Sequence, residues 1–96
     1  MTEESKVKTE IRNYLKKNGF HYRAIGSNQY TRKGIPDAYA IKNGHILFIE
    51  CKSSKGKMSI EQIKEMYEIM GHGGNYIIAY GIDCIKEYCL KNGIQI

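Results

Sequence analysis

Apolar residues fall at Val7, Ile11, Tyr14 and Leu15 within an otherwise charged N-terminal segment. This is the spacing of one face of an α-helix. It predicts a helix over residues 3–18, stopped by Asn18-Gly19. Residues 20–25 (FHYRAI) read as a strand and residues 26–35 (GSNQYTRKGI) as a polar, basic loop. Pro36 then opens a second strand, one of the few places where a sheet accepts proline. Two runs, residues 37–42 (DAYAIK) and 45–52 (HILFIECK), are separated by Asn43-Gly44 alone. That pair supplies the positive φ angles of a two-residue hairpin turn. After the loop SSKGK, Ser59 and Gln62 have the spacing of a capping box. The helix they open runs to about Met70. Its apolar stripe of Ile60, Ile63, Met66, Tyr67 and Met70 is expected to face the core. Gly71, Gly73 and Gly74 break it. Residues 76–80 (YIIAY) read as a short buried strand and residues 83–91 as a third helix ending at Asn92-Gly93. Gln95 is expected in a final short strand.

The order α-β-β-β-α-β-α puts three successive strands before a helical crossover. It predicts an α/β fold in which a mixed sheet is flanked by helices. A chain of 96 residues fits one domain, 1–96. No apolar run approaches a membrane span. The start MTEESKVKTE is charged where a signal peptide turns apolar, so an intracellular, cytoplasmic protein is expected. Cys51, Cys84 and Cys89 form no Cys-x-x-Cys pair and are odd in number. This argues against a disulfide framework or a zinc site and for free thiols. Charge changes the picture more. Up to Lys57 there are 12 Lys/Arg against five Asp/Glu, and beyond it three against five. Such a basic half is the footprint of a polyanion binder.

The hairpin also fixes a geometry. With a two-residue turn at 43–44, Lys42 pairs with His45, and counting outward brings Asp37 opposite Glu50. Opposed side chains on a sheet lie roughly 4.5–5.5 Å apart at Cβ, and two carboxylates at that distance repel. A cation between them resolves the conflict, and oxygen ligands of this kind suit Mg²⁺ or Mn²⁺. Lys52 lies two residues past Glu50, hence on the same face, and is expected to reach Asp37 diagonally. The alternative is a structural ion-pair cluster in which Lys52 neutralises one acid. The apolar run Ile46-Leu47-Phe48-Ile49 weighs against it, since a polar cluster beside a buried strand is costly unless fully paired.

Gly34-Ile35-Pro36-Asp37 followed by Glu50-Cys51-Lys52 resembles the PD-(D/E)xK nuclease superfamily. With Gly-Lys-x-Ser-x-x-Gln at 56–62, the pattern is similar to the virus-type replication-repair nuclease (VRR-NUC) domain. The resemblance runs from the first helix through the strand at 76–80. It implies a restriction-endonuclease-like core and a divalent-metal endonuclease. By that resemblance Asp37, Glu50 and the backbone carbonyl of Cys51 are metal ligands, with the Cys51 side chain facing away. Lys52 serves the attacking water and the phosphate, and Gln62 supports the site. Ser59 is read mainly as a helix cap. Family members often add a glutamate from the first helix. Among Glu3, Glu4 and Glu10, Glu4 lies on the inward stripe and is preferred, the alternative being a first-turn acid favoured by the helix dipole.

The basic loop leading to Asp37 and the segment leaving Lys52 emerge beside the acids. Ser27, Arg32, Lys33, Lys55 and Lys57 are therefore expected to contact DNA, and Gly26-Ser27 resembles a loop of the archaeal junction resolvases. Tyr30 is a lesser candidate for base stacking. In a chain this small no separate recognition domain is expected, which fits readout of DNA shape through the backbone. The resemblance implies cutting of branched DNA such as four-way (Holliday) junctions by a homodimer, and a two-fold substrate suits two symmetric sites. The helix at 59–70 and the segment at 76–90 are candidate dimer surfaces, with packing in the core the preferred reading of both. Competing readings are a sequence-preferring or nicking endonuclease and a non-catalytic DNA-binding module that keeps the fold.

Overall fold

The computed structural model describes residues 1–26 and 32–96. Its elements are α1 (Glu3–Lys17), β1 (His21–Ala24), β2 (Ala38–Lys42), β3 (His45–Cys51), α2 (Ile60–Gly71), β4 (Asn75–Ala79) and α3 (Ile82–Lys91). The strands lie side by side in the order β1-β2-β3-β4. The first three are antiparallel neighbours, and β4 runs parallel to β3. A parallel neighbour needs a crossover, and α2 supplies it. This is the expected mixed sheet. The expected final strand is absent: residues 94–96 carry no regular structure. Instead the Ile94 N–H turns back to the Cys89 carbonyl (2.9 Å), closing the end of α3, and the Ile94 side chain is buried.

The core lies on one face of the sheet. Val7, Ile11 and Leu15 of α1 meet Ala38 and Ala40 of β2, Leu47, Ile49 and Cys51 of β3, and Ile85 and Cys89 of α3. Strand alternation sends the intervening side chains of β3 to the opposite face. There Phe48 and Glu50 lie on the side covered by α2. The three thiols are free, as expected. Among the described residues, no helix is long and apolar enough to cross a membrane.

The apolar stripe assigned to α2 does not face this core. No residue of α2 is buried. Ile60, Ile63, Tyr67 and Met70 are 69%, 37%, 65% and 52% exposed, while Gln62, Glu65, Met66 and Ile69 are half-buried. Periodicity locates an apolar stripe but does not say what covers it. On the inward side of α2, Gln62 bonds Glu50 and Lys52, and Glu65 bonds the exposed Arg32.

Two backbone features seat the hairpin and α2. Asn43 and Gly44 adopt φ of 51° and 81°, the mirror-image turn that suits a two-residue hairpin. The register Ala38↔Ile49 through Lys42↔His45 follows from it. Gly34 has φ of 88°, and a Cβ there would collide with the Glu61 carbonyl. The loop before Asp37 therefore packs directly against the first turn of α2. Gly34→Ala is expected to cost at least about 2 kcal/mol, combining a left-handed backbone with a backbone overlap. Urea unfolding would measure it; a midpoint within error of the parent would contradict the packing described.

Candidate active site

The register, continued one step past Ala38↔Ile49, brings Asp37 to Glu50 at the end of the sheet. Glu50 is 3% exposed and Lys52 8%. Asp37 remains partly open, with its side chain 24% exposed. The Asp37 carboxylate caps the end of β3: its Oδ2 accepts the Cys51 N–H at 2.8 Å. The Lys52 N–H bonds to the Ala79 carbonyl on the β4 side. Alternation along a strand therefore points the Cys51 N–H and carbonyl together toward the Asp37 side. The Cys51 side chain is fully buried in the core, as expected for a residue whose backbone alone meets the site. Burial, then the nearby Asp37, pushes its thiol up to about 12, so it stays protonated.

Gln62 ties the cluster together. Its Nε2 donates to Glu50 Oε2 at 3.0 Å. Its Oε1 accepts from Lys52 Nζ at 2.9 Å and from the Ser59 N–H at 2.9 Å. Ser59 Oγ in turn accepts the Gln62 N–H at 3.1 Å, completing the expected capping box. One amide thus closes the helix N-terminus and orients both an acid and a base. Lys52 Nζ also lies 3.6 Å from Glu50 Oε2. The expected diagonal from Lys52 to Asp37 is not formed. The cation on Asp37 is Lys8, whose Nζ lies 3.5 Å from Asp37 Oδ1 and 3.4 Å from Glu4 Oε2. Burial works against the Lys8 charge, but Asp37 and Glu4 outweigh it and raise its pKa.

Glu4 therefore approaches the acid pair with a lysine in between. Glu3 turns elsewhere: its Oε1 accepts the Ser54 N–H at 2.7 Å, and that bond holds its carboxyl below the usual range. Glu10 is exposed. The reading of residues overlooked Lys8. Its signal was its position four residues after Glu4, one turn along the inward stripe.

The basic candidates separate. Lys33, Lys55 and Lys57 are exposed. Arg32 instead bonds Glu65 on α2 at 2.6 Å, with its own side chain 65% exposed. Ser27 and Tyr30 lie outside the described residues.

Glu50 is under electrostatic strain. Burial, then the charge of Asp37, pushes its carboxyl up to about 7 despite the relief from Lys52. Its Oε1 is buried without a hydrogen-bond partner. An orphaned carboxylate oxygen beside a second carboxylate and a backbone carbonyl fits a hard divalent cation. No group of three His, Cys, Asp or Glu side chains converges among the described residues. Mg²⁺ does not need one, since one or two carboxylates plus water and phosphate commonly suffice.

A mixed sheet whose hairpin presents two acids, with a lysine two residues beyond the second, has the layout of a PD-(D/E)xK nuclease. A solved VRR_NUC domain superposes with a TM-score of 0.78 at 20% identity, covering 95% of this chain and 97% of that one. It establishes the restriction-endonuclease-like fold. Residues 3–80 match the family model of the archaeal Holliday junction resolvase (Hjc). The chain belongs to the archaeal Holliday junction resolvase family, and is a nuclease that acts on Holliday junctions. No curated protein matches it in sequence.

A carboxyl raised from 4.5 to about 7 costs folding stability as pH rises. Below about 4.5 both folded and unfolded forms hold the proton and the cost is absent. It grows as the unfolded form ionises and is complete above about 7, on the order of 3 kcal/mol. Glu50→Gln, unfolded by urea in chelator, is expected to be about 1–3 kcal/mol more stable than the parent at pH 8 and indistinguishable near pH 4.5. A gain independent of pH, or a loss at pH 8, would refute the strain.

Proposed function

We propose that the chain cuts four-way DNA junctions as a Mg²⁺- or Mn²⁺-dependent endonuclease, acting as a homodimer. The observation that carries the reading is the buried Glu50 opposed to the partly open Asp37, with Lys52 and Gln62 converging on Glu50. Asp37, Glu50 and the Cys51 carbonyl are the proposed ligands, with Glu4 as a further candidate. The cation supplies Lewis acidity to the phosphate and acidifies bound water. Lys52, held by Gln62, presents an ammonium to the attacking water and to charge building on the phosphate. Gln62 holds both Lys52 and Glu50 by its amide. Lys33, Lys55 and Lys57 grip flanking phosphates. Arg32 joins them at the expense of its bond to Glu65, and Ser27 is proposed with them from the sequence alone.

Dimerisation is supported by the outward stripe Ile60, Ile63, Tyr67 and Met70. A contiguous apolar helix face left uncovered is the usual sign of a partner, and a two-fold junction suits two symmetric sites.

Cleavage of an end-labelled four-way junction with Mg²⁺ tests the chemistry. Asp37→Ala and Lys52→Ala are expected to bind the junction and cut it at least about a hundredfold more slowly. Parent-like cutting by either variant removes that residue from the mechanism. Equal cutting of a linear duplex of the same sequence removes the preference for branched DNA. Sedimentation tests the assembly: the parent is expected to run as a dimer and Ile63→Lys/Tyr67→Lys as a folded monomer. A monomeric parent, or an unshifted variant, rejects this face.

A further inference from the structure

Beside the acid pair, one turn of α1 leads from the half-buried Lys8 to the exposed Arg12 at the edge of the buried stripe. Lys8, Thr9 and Arg12 from α1, Tyr22 from β1 and Asp37 line a cleft of about 240 Å³. Asp37 is its only acid. The same carboxylate bounds the acid pair, with one oxygen on the Cys51 N–H and the other toward Lys8. Cleft and metal-binding pair are thus separated by a single side chain.

The two cations of this cleft differ: Lys8 is held by Glu4 and Asp37, whereas Arg12 has no ion pair among the described residues. Like charges at i and i+4 destabilise a helix. Lys8 stands 3.4 and 3.5 Å from its two acids, beyond the roughly 2.7–2.9 Å of a charge-assisted hydrogen bond. Attraction to two acids holds it there, and a divalent cation on Asp37 would remove much of that attraction. A guanidinium fork and an ammonium one turn apart, over Tyr22 and a threonine hydroxyl, form a receptor for a phosphodiester.

We propose that this cleft is a second phosphate subsite, where Lys8 and Arg12 clasp a phosphodiester beside the one being cut, and that Lys8 is released to it when a divalent cation occupies Asp37. The proposal rests on the nuclease reading above. It makes Lys8 a placeholder for the metal in the free protein and a substrate ligand in the complex.

Binding of a fluorescent four-way junction, followed by anisotropy over a range of salt, tests it without relying on turnover. The Lys52→Ala background suppresses cutting. In Mg²⁺, adding Arg12→Ala or Lys8→Ala is expected to weaken binding about tenfold and to make the salt slope shallower by about one for each. In chelator Arg12→Ala keeps its full effect, whereas Lys8→Ala weakens binding less than about threefold because Lys8 is still engaged. Lys8→Arg restores the Mg²⁺ slope. Lys91→Ala, which removes a charge paired to Glu87 on α3, leaves the slope unchanged. Circular dichroism confirms that each variant is folded. Unchanged slopes for Lys8→Ala and Arg12→Ala in Mg²⁺ overturn the subsite, and an equal loss by Lys8→Ala in chelator and Mg²⁺ overturns the release. A parent with no affinity for the junction would defeat the nuclease reading instead, so the two failures are distinguishable.

Discussion

A carboxylate buried against a second carboxylate is the constraint from which the rest of this structure takes its meaning. The hairpin register leaves Glu50 no other place, and the apolar run of β3 denies it water. Proteins keep such groups where strain serves a function. Here three groups hold the arrangement together and relieve it only in part: Gln62 donates to one Glu50 oxygen, Lys52 stands nearby, and Lys8 attends Asp37. One oxygen of Glu50 still lacks a partner. That unpartnered oxygen is what supports the proposed cation site.

The surrounding elements follow from holding that pair in place. β3 leaves the sheet at Cys51 and is hooked on both sides: the Ser54 N–H to Glu3 on α1, and Lys52 to Gln62 on α2. Gly34 lets the loop before Asp37 lie against the first turn of α2. Both acids therefore refer to one helix start, and an error in seating α2 would spread them apart. This explains why a helix with no buried residue is needed. Its inward face delivers one glutamine and one glutamate beside Met66 and Ile69, and Ile60, Ile63, Tyr67 and Met70 are left for another surface.

Much of this was legible in the sequence because short-range rules governed it. Asn43-Gly44 dictated the turn, the turn dictated the register, and the register opposed Asp37 to Glu50. Ser59 and Gln62 announced a capping box. What escaped notice was set by contacts distant along the chain. The stripe on α2 has the period of a core face, yet Gln62 and Glu65 lie on the inward side of the helix and most of the stripe is exposed. Strand geometry alone points Lys52 at Asp37, whereas the hydrogen bond it donates to Gln62 draws it back toward Glu50 and leaves Asp37 to Lys8. The end of the chain was given a strand that the closure of α3 replaces. Periodicity points Glu4 toward the inward stripe of α1; its side chain is 43% exposed and Lys8 stands between it and Asp37.

Direct titration with Mn²⁺, followed by calorimetry on the protein without DNA, tests the central claim most simply. The parent is expected to bind the ion, with Asp37→Asn and Glu50→Gln each binding at least about tenfold more weakly while remaining folded. A parent that takes up no Mn²⁺, or acid variants that bind it as well as the parent, would contradict the claim that the opposed carboxylates exist to hold a cation.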